Sequence, residues 1–384
     1  MKVFIWSPLI SEVGTTYTII NTTAAFYKFS NSKIENFVIN VAQEWTKYKK
    51  ILNSYNTKLI DLNTKLDFKK LPKNSFFKSR LTYLIIFFFS IFKLHKLLKE
   101  EQPDYLMIHI LTPIPLLLLF FFKYNTKFIL RISGYPHLGL FRSLLWKLVN
   151  KKIYKVLSPS EKTKELLINK KIFLNEKIQT IFEPIINLEL IKKKKESSPD
   201  DLFKRSGDYV ISIGRLTRQK NFKFLINSFD EILKKIPNLK LIICGIGEEE
   251  NSLRLLIKQK GREKNIILAG YVENIYHAIK NSKFFVLTSE WEDPGFVIVE
   301  AMFSNKIVMS SNCGSGPIEI ISHKDNGYLF EKNDPEDFIK NFIEINNLIE
   351  NNSQNLTKMK IRAKQKTLNY SLFRHYSILN KIFN

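Results

Sequence analysis

Short apolar runs alternate with longer helix-patterned segments along the whole of this chain, and the alternation restarts once. Strands that alternate with helices build parallel sheets covered on both faces, so the expected fold class is α/β, as two doubly wound layers. In the first half Lys2–Trp6, Phe37–Val41, Tyr105–His109, Lys127–Ile132, Lys155–Ser158 and Ile178–Ile181 read as strands. Segments 14–29, 76–100, 113–123, 139–152 and 160–170 read as the helices between them. Lys192-Lys-Lys-Lys-Glu-Ser-Ser-Pro-Asp-Asp201 is charged, lacks apolar periodicity and reads as a linker. Tyr209–Ile213 then starts a second set, continued by Leu239–Ile243, Ile266–Leu268, Phe284–Leu287 and Ile307–Met309. Phe222–Ile236 repeats apolar residues on one helical face, with Asn221 as its expected N-cap. The expected domains are 1–190, a linker over 191–204, 205–368, and a C-terminal helix over 369–384 that packs back on the first domain.

At 384 residues the chain can bury two ordinary cores. Its formal charge of +24 is unevenly placed: residues 1–200 hold 33 Lys and Arg against 15 Asp and Glu, and residues 201–384 hold 27 against 21. A skewed base composition accounts for abundant lysine but not for its concentration in one half. Clustered lysines attract anionic surfaces, whether nucleic acid or acidic lipid. Two apolar blocks lie in the same half: Tyr83–Phe92, followed by Lys93 and Lys96, and Pro113–Phe122, followed by Lys123. Each is shorter than the ~20 residues that cross a bilayer. They read as core helices or as helices inserted shallowly at a membrane interface, and no spanning segment is expected. With only Cys244 and Cys313, in separate local elements, a disulfide framework is not expected, which points to a reducing, cytoplasmic setting, at the inner face of the membrane if that contact is made. Met1–Leu9 reads as a first strand rather than a leader. No nucleic-acid motif is visible, and His95, His137, His277, His323 and His375 show no metal-ligand spacing, so neither nucleic acid nor a metal or other cofactor is expected.

The chemistry concentrates in Ser289-Glu-Trp-Glu-Asp-Pro-Gly-Phe-Val-Ile-Val-Glu-Ala-Met302. Pro294 and Gly295 break the segment, which leaves Glu292 in a loop at a strand's carboxyl end and Glu300 in the following helix. Between them, the N–H groups of Phe296 and Val297 open a helix N-terminus, a ready anion site. Carboxylates for sugar hydroxyls thus flank donors for phosphate. Gly214-Arg-Leu-Thr-Arg-Gln-Lys-Asn221 follows the first strand of the second half. Gly214 permits a sharp turn, and Arg215 and Lys220 supply a planar fork and a point charge suited to a diphosphate. In Ser310-Ser-Asn-Cys-Gly-Ser-Gly-Pro-Ile-Glu319, Gly314 and Gly316 allow close backbone approach, so the loop reads as a pocket wall or as a plain turn. His109 ends a strand of the first half and reads either as a catalytic group or as a satisfied core histidine.

Gly-Arg-Leu-x-x-Gln-Lys-Asn, Gly-Ile-Gly-Glu at 245–248, Gly270-Tyr-Val and the paired glutamates occur in an order and spacing that resembles retaining glycosyltransferases of family 4. The resemblance runs along nearly the whole chain and is most specific from 207 to 332. It implies the GT-B fold, two Rossmann-like domains facing across a cleft, and transfer without a metal. It implies that Arg215 and Lys220 bind the donor diphosphate, that Glu300 holds the ribose, that Glu292 contacts the donor sugar, and that Tyr271 and Val272 flank the base. Gly214, Gly245, Gly295, Gly314, Gly316 and Ser133 would then belong to the donor-pocket loops. Two positions depart from the family pattern. Glu12-Val-Gly14 offers one glycine where the family has a Gly-Gly turn, though Gly14 still opens a helix toward the phosphates. Ser133 stands where the family often has an active-site histidine.

The expected protein is therefore a hexosyl- or N-acetylhexosaminyltransferase of surface-polysaccharide synthesis. It would move a sugar, UDP-sugar favoured, to a growing glycan or polyprenyl-diphosphate-linked acceptor with the anomeric configuration kept. Glu292 and His109 are its candidate catalytic residues. The alternatives are a sugar-nucleotide epimerase or phosphorylase on the same fold, and a basic nucleic-acid-binding protein.

Overall fold

The computed structural model describes residues 1–8, 14–67, 69–72, 76–136, 138–196, 202–203 and 207–384. Two compact units are present: Met1–Pro184 with Leu372–Asn384, and Ile185–Ser371. Each holds one all-parallel sheet.

In the first unit the strands are β1 (Lys2–Trp6), β2 (Glu35–Asn40), β3 (Lys58–Asp61), β4 (Tyr105–Ile108), β5 (Lys127–Arg131), β6 (Lys155–Ser158) and β7 (Ile178–Thr180), in the order β3-β2-β1-β4-β5-β6-β7. Successive side chains of a strand point to opposite faces. Phe4, Trp6, Leu106 and Ile108 accordingly enter one core, while Val3, Ile5, Met107 and Ile129 enter the other. Both faces are covered by helices, as a parallel sheet requires. The first face is covered by α3 (Phe76–Glu101), α4 (Pro113–Phe121) and α5 (Leu140–Val149). On the second lie α1 (Gly14–Phe29), the short α2 (Lys49–Asn53) and the last helix of the chain, Leu372–Phe383. That last helix seats Leu379, Ile382 and Phe383 against Val3 and Ile5, and its end is fixed by Tyr105 Oη donating to the Phe383 carbonyl at 2.8 Å.

In the second unit the strands are β8 (Tyr209–Ile213), β9 (Lys240–Cys244), β10 (Ile266–Gly270), β11 (Phe285–Leu287), β12 (Val308–Ser311) and β13 (Tyr328–Phe330), in the order β10-β9-β8-β11-β12-β13. The helix Phe222–Lys235 buries Phe222, Leu225, Ile226, Phe229, Ile232 and Leu233, the stripe that its periodicity predicts. In both sheets the strand order reverses next to the first strand, between β1 and β4 and between β8 and β11. Ligands of open α/β sheets bind outside the carboxyl ends of the strands at such a reversal.

Several expectations are corrected. β3 and β13 were not anticipated from the sequence, because one is a half-exposed four-residue edge strand and the other is three residues long. The helix Leu188–Glu196 takes in residues 191–196, read as linker, and the second unit begins at Ile185; 197–201 and 204–206 lie outside the described residues. Asn221 precedes its helix in the left-handed region (φ 52°), but its side chain does not cap. Its Nδ2 instead donates to Glu290 at 2.9 Å and to Asn333 at 2.8 Å. The apolar block at 83–92 belongs to a 26-residue helix in which Arg80–Glu101 is long and apolar enough, by length and composition, to cross a membrane.

Candidate functional site

Two loops meet at the strand reversal of the second unit. The first leaves β8 at Gly214, whose N–H donates to the Cys244 carbonyl at 2.9 Å, while the Gly245 N–H donates to the Gly270 carbonyl at 2.7 Å. The ends of β8, β9 and β10 are thereby stitched together. A Cβ on Gly245 (φ +151°) would stand 1.8 Å from the Gly214 carbonyl oxygen, so only glycine permits this approach.

The second loop leaves β11 and carries Glu292. Lys220 Nζ donates to Glu292 Oε2 at 2.5 Å, with both side chains 11% exposed. Ser289 Oγ donates to the same oxygen at 3.0 Å and is itself set by Ser311 Oγ donating to the Ser289 carbonyl at 2.7 Å. Three further bonds brace the loops: Glu290 N–H to the Gln219 carbonyl (2.7 Å), Gln219 Nε2 to the Trp291 carbonyl (2.9 Å), and Thr288 Oγ1 to the Lys220 carbonyl (3.1 Å). From behind, the Gly316 N–H donates to the Glu292 carbonyl at 3.1 Å, and a Cβ there would stand 2.7 Å from the Pro294 oxygen. Gly314 (φ +127°) turns the chain into that contact, and the Asp293–Pro294 bond is cis.

Gly295, in the left-handed region at φ +86°, starts the helix Phe296–Phe303. The N–H groups of Phe296 and Val297 belong to its unpaired first turn and have no partner among the described residues. Arg215 is exposed on the first loop, and no hydrogen bond or ion pair of its guanidinium occurs among the described residues. The loops therefore bring Gly214, Lys220, Glu292, Gly295, Gly245 and Gly316 together around one fixed ion pair.

Glu300 is held apart from that pair. Its carboxylate accepts from Tyr276 Oη at a long 3.4 Å. Burial pushes Glu300 up to about 7, against the opposing pull of the Lys194 ammonium and the tyrosine bond. Burial, with the carboxylate beside it, also holds Tyr276 well above the usual phenol range. The carboxyl thus keeps acceptor capacity that the described residues do not fill. Tyr271 is exposed just past β10, with Val272 half-buried beside it. No motif signals Tyr276 or Lys194, and Ser289, at the head of the Glu292 segment, carries no assigned role in the sequence reading.

In the first unit, a cavity of about 1100 Å³ is walled by the segment after β4 (His109–Thr112), the end of β5 and the residues that follow it, and parts of α3 and α5. His109 and Ser133 both line it. Ser133 is exposed, whereas His109 is 4% exposed with neither ring nitrogen partnered. Burial, then the nearby Arg131 and His375, hold His109 well below the usual imidazole range, so it is neutral. Arg131 is paired with Glu183 at 2.5 Å, both buried, and His375, pushed down to about 3 by burial, lies between the Thr22 hydroxyl and the Phe182 carbonyl. Thr15 also lines the cavity, one residue past Gly14, which opens α1. Glu12, Val13 and His137 lie outside the described residues. Among the described residues no group of three His, Cys, Asp or Glu side chains could hold a metal ion.

Residues 193–366 match the family model described as glycosyl transferases group 1. An uncharacterized glycosyltransferase of Methanocaldococcus jannaschii is 32% identical over 247 residues, 60% of this chain and 61% of its own. The N-acetylgalactosamine-N,N'-diacetylbacillosaminyl-diphospho-undecaprenol 4-alpha-N-acetylgalactosaminyltransferase of Campylobacter jejuni is 26% identical over 219 residues, 55% of this chain and 58% of its own. The chain thus spans less than two thirds of the length of these curated relatives. The crystal structure of Anabaena HepE in complex with UDP superimposes with a TM-score of 0.74 at 17% identity, covering 99% of each chain. The fold is GT-B, and residues 193–366 are similar to the glycosyl transferases group 1 family.

Proposed function

We propose that this chain is a retaining, metal-independent glycosyltransferase of surface-polysaccharide synthesis. It takes a hexosyl or N-acetylhexosaminyl group from a nucleoside diphosphate and passes it to a growing glycan or a polyprenyl-diphosphate-linked acceptor at the cytoplasmic side of a membrane. The observation that carries this reading is the braced loop pair at the strand reversal of the second unit. There Lys220 and Glu292 are held 2.5 Å apart, with Arg215 on the same loop and the helix start at Phe296 following Glu292.

In this reading the donor diphosphate binds Arg215, Lys220 and the N–H groups of Phe296 and Val297. When it engages Lys220, Glu292 loses its salt-bridge partner and accepts instead from a hydroxyl of the donor sugar. Glu300 accepts from the ribose hydroxyls, and Tyr271 and Val272 flank the base. In the chemical step the bond from the anomeric carbon to the β-phosphate oxygen breaks and the bond to the acceptor oxygen forms on the same face. The acceptor proton passes to the departing phosphate. The charge that develops on the leaving group meets cations already fixed in place, which lowers the barrier without reorganisation. The acceptor belongs to the first unit's cavity, where neutral His109 and Ser133 offer it hydrogen bonds, and Gly14 starts a helix near its wall.

The Anabaena protein holds UDP, so UDP and UDP-sugars come first in a thermal-shift and calorimetry screen, with GDP- and ADP-sugars beside them. Binding of one nucleotide family, lost in Glu300→Ala and Lys220→Ala, is expected. No binding of any nucleoside diphosphate would sink the reading.

A further inference from the structure

Helix α3 is apolar on both sides, more than a helix that only serves its own core requires. The face it turns inward carries Thr82, Ile86, Ser90, Leu94 and Leu98, and Ser90 spends its hydroxyl on the Ile86 carbonyl at 2.6 Å. The face it leaves outside carries Leu81, Leu84, Phe88 and Phe92 in steps of three and four, with Phe89 beside them. Phe88 is 69% and Phe92 79% exposed. The same occurs on α5, where Leu140, Leu144 and Leu148 form one exposed stripe, with Leu140 94% exposed. Nothing among the described residues covers either stripe. α4, which packs against both helices, is by contrast mostly a core helix: Ile114, Leu116, Leu118 and Leu119 are buried, and only its last residue, Phe121, with Phe122 after it, joins the outer surface. Contiguous exposed apolar surface of this kind marks a site of contact.

Charge selects the partner. No Asp or Glu occurs from residue 68 to 99 or from 105 to 160, while Arg80, Lys93, Lys96, Lys123, Arg142, Lys147 and Lys151 fall within those stretches. A protein partner of ordinary composition would not require that acids be absent over two such lengths, whereas an anionic lipid surface would. We propose that α3 and α5 form a docking face for an anionic lipid bilayer, the apolar stripes entering the headgroup–acyl boundary and the basic rim contacting acidic headgroups. α3 is long enough to span, yet Ile86, Leu94 and Leu98 are committed to the core of the first unit, so the helix lies on the membrane rather than crossing it. Tyr83, Leu84, Leu140 and Phe141 belong both to this face and to the wall of the His109 cavity. The cavity therefore opens where the bilayer would lie, and a ligand with an apolar anchor could enter without leaving the lipid.

Binding to the bilayer does not rest on the transferase reading and is measured without substrate. The full chain is sedimented with phosphatidylcholine vesicles and with mixed phosphatidylcholine–phosphatidylglycerol vesicles, at low and high salt. Binding to the mixed vesicles that weakens with salt is expected. Phe88→Ser/Phe92→Ser and Leu144→Ser/Leu148→Ser should each lower it ~10-fold or more with unchanged melting temperature. Leu255→Ser, an exposed apolar position of the second unit, should leave it unchanged. Absence of binding to either vesicle overturns the proposal, as does binding that both double variants leave intact. Concentration-dependent self-association that the same variants abolish, without vesicle binding, would assign the face to a second copy of the chain instead.

Discussion

Lys220 and Glu292 can be separated into a structural pair and a functional pair by removing them singly and together. Lys220→Met leaves Glu292 with Ser289 as its remaining partner in a site where both side chains of the pair are only 11% exposed. Breaking a fully buried pair from one side costs ~3–5 kcal/mol, and an exposed pair is worth under ~1 kcal/mol. With a tenth of the surface open and one hydroxyl retained, the cost should be about 2–3 kcal/mol, or a melting temperature lower by about 5–10 °C for a unit of this size. Lys220→Met/Glu292→Gln removes both charges and should return most of that stability, to within ~1 kcal/mol of the wild type. Turnover should behave differently. Loss of a cation that meets the leaving diphosphate should cost ~10²–10³-fold, and neutralising Glu292 as well cannot supply the missing charge. Thermal unfolding and nucleoside diphosphate release, measured on the same four proteins, give both numbers. If the double variant recovered turnover along with stability, the pair would be a structural staple and the diphosphate assignment of Lys220 would be wrong.

Burial raises Glu300 to about 7, so it is protonated below that pH and cannot accept from two ribose hydroxyls. The KM for the donor sugar nucleotide should therefore rise about tenfold per pH unit below 7 and level off above it, and Glu300→Gln should flatten that profile. Turnover should survive chelation by EDTA, because the leaving charge is met by side chains and helix N–H groups; abolition by EDTA and recovery with a divalent cation would contradict this. Gly245→Ala sets a Cβ 1.8 Å from a backbone oxygen and should unfold or strongly destabilise the second unit. Gly214→Ala meets only the flexible Lys220 stem, at 2.8 Å, and should lower activity with little change in melting temperature.

The parts of this molecule legible in its sequence are those governed by short-range patterns. Parallel strands buried on both faces, such as Val3–Trp6 and Val210–Ile213, announce themselves as apolar runs, and the break at Pro294-Gly295 separates the loop that holds Glu292 from the helix that holds Glu300. Pairings across long separations were not legible. Lys220 and Glu292 are 72 residues apart, and nothing local says that the cation assigned to phosphate rests on the carboxylate assigned to sugar. Tyr276 beside Glu300, and Arg131 with Glu183 near His375, are of the same kind. Residue type alone marks Asn221 as a cap, but Glu290 and Asn333, brought in by other elements, take its amide. The apolar block of α4 was read as equivalent to that of α3, and only the packing shows that one is core and the other faces outward. The short strands β3 and β13 carry too few apolar residues to signal themselves.

The central claim is that the second unit holds a nucleotide sugar for transfer to an acceptor. It is tested most directly by following nucleoside diphosphate release and sugar fate from UDP-sugars, with and without glycan and polyprenyl-diphosphate-linked acceptors. Release that depends on acceptor, a product with the donor's anomeric configuration, and loss of both in Lys220→Met are expected. Interconversion of the sugar nucleotide without acceptor, or a product of inverted configuration, would contradict it.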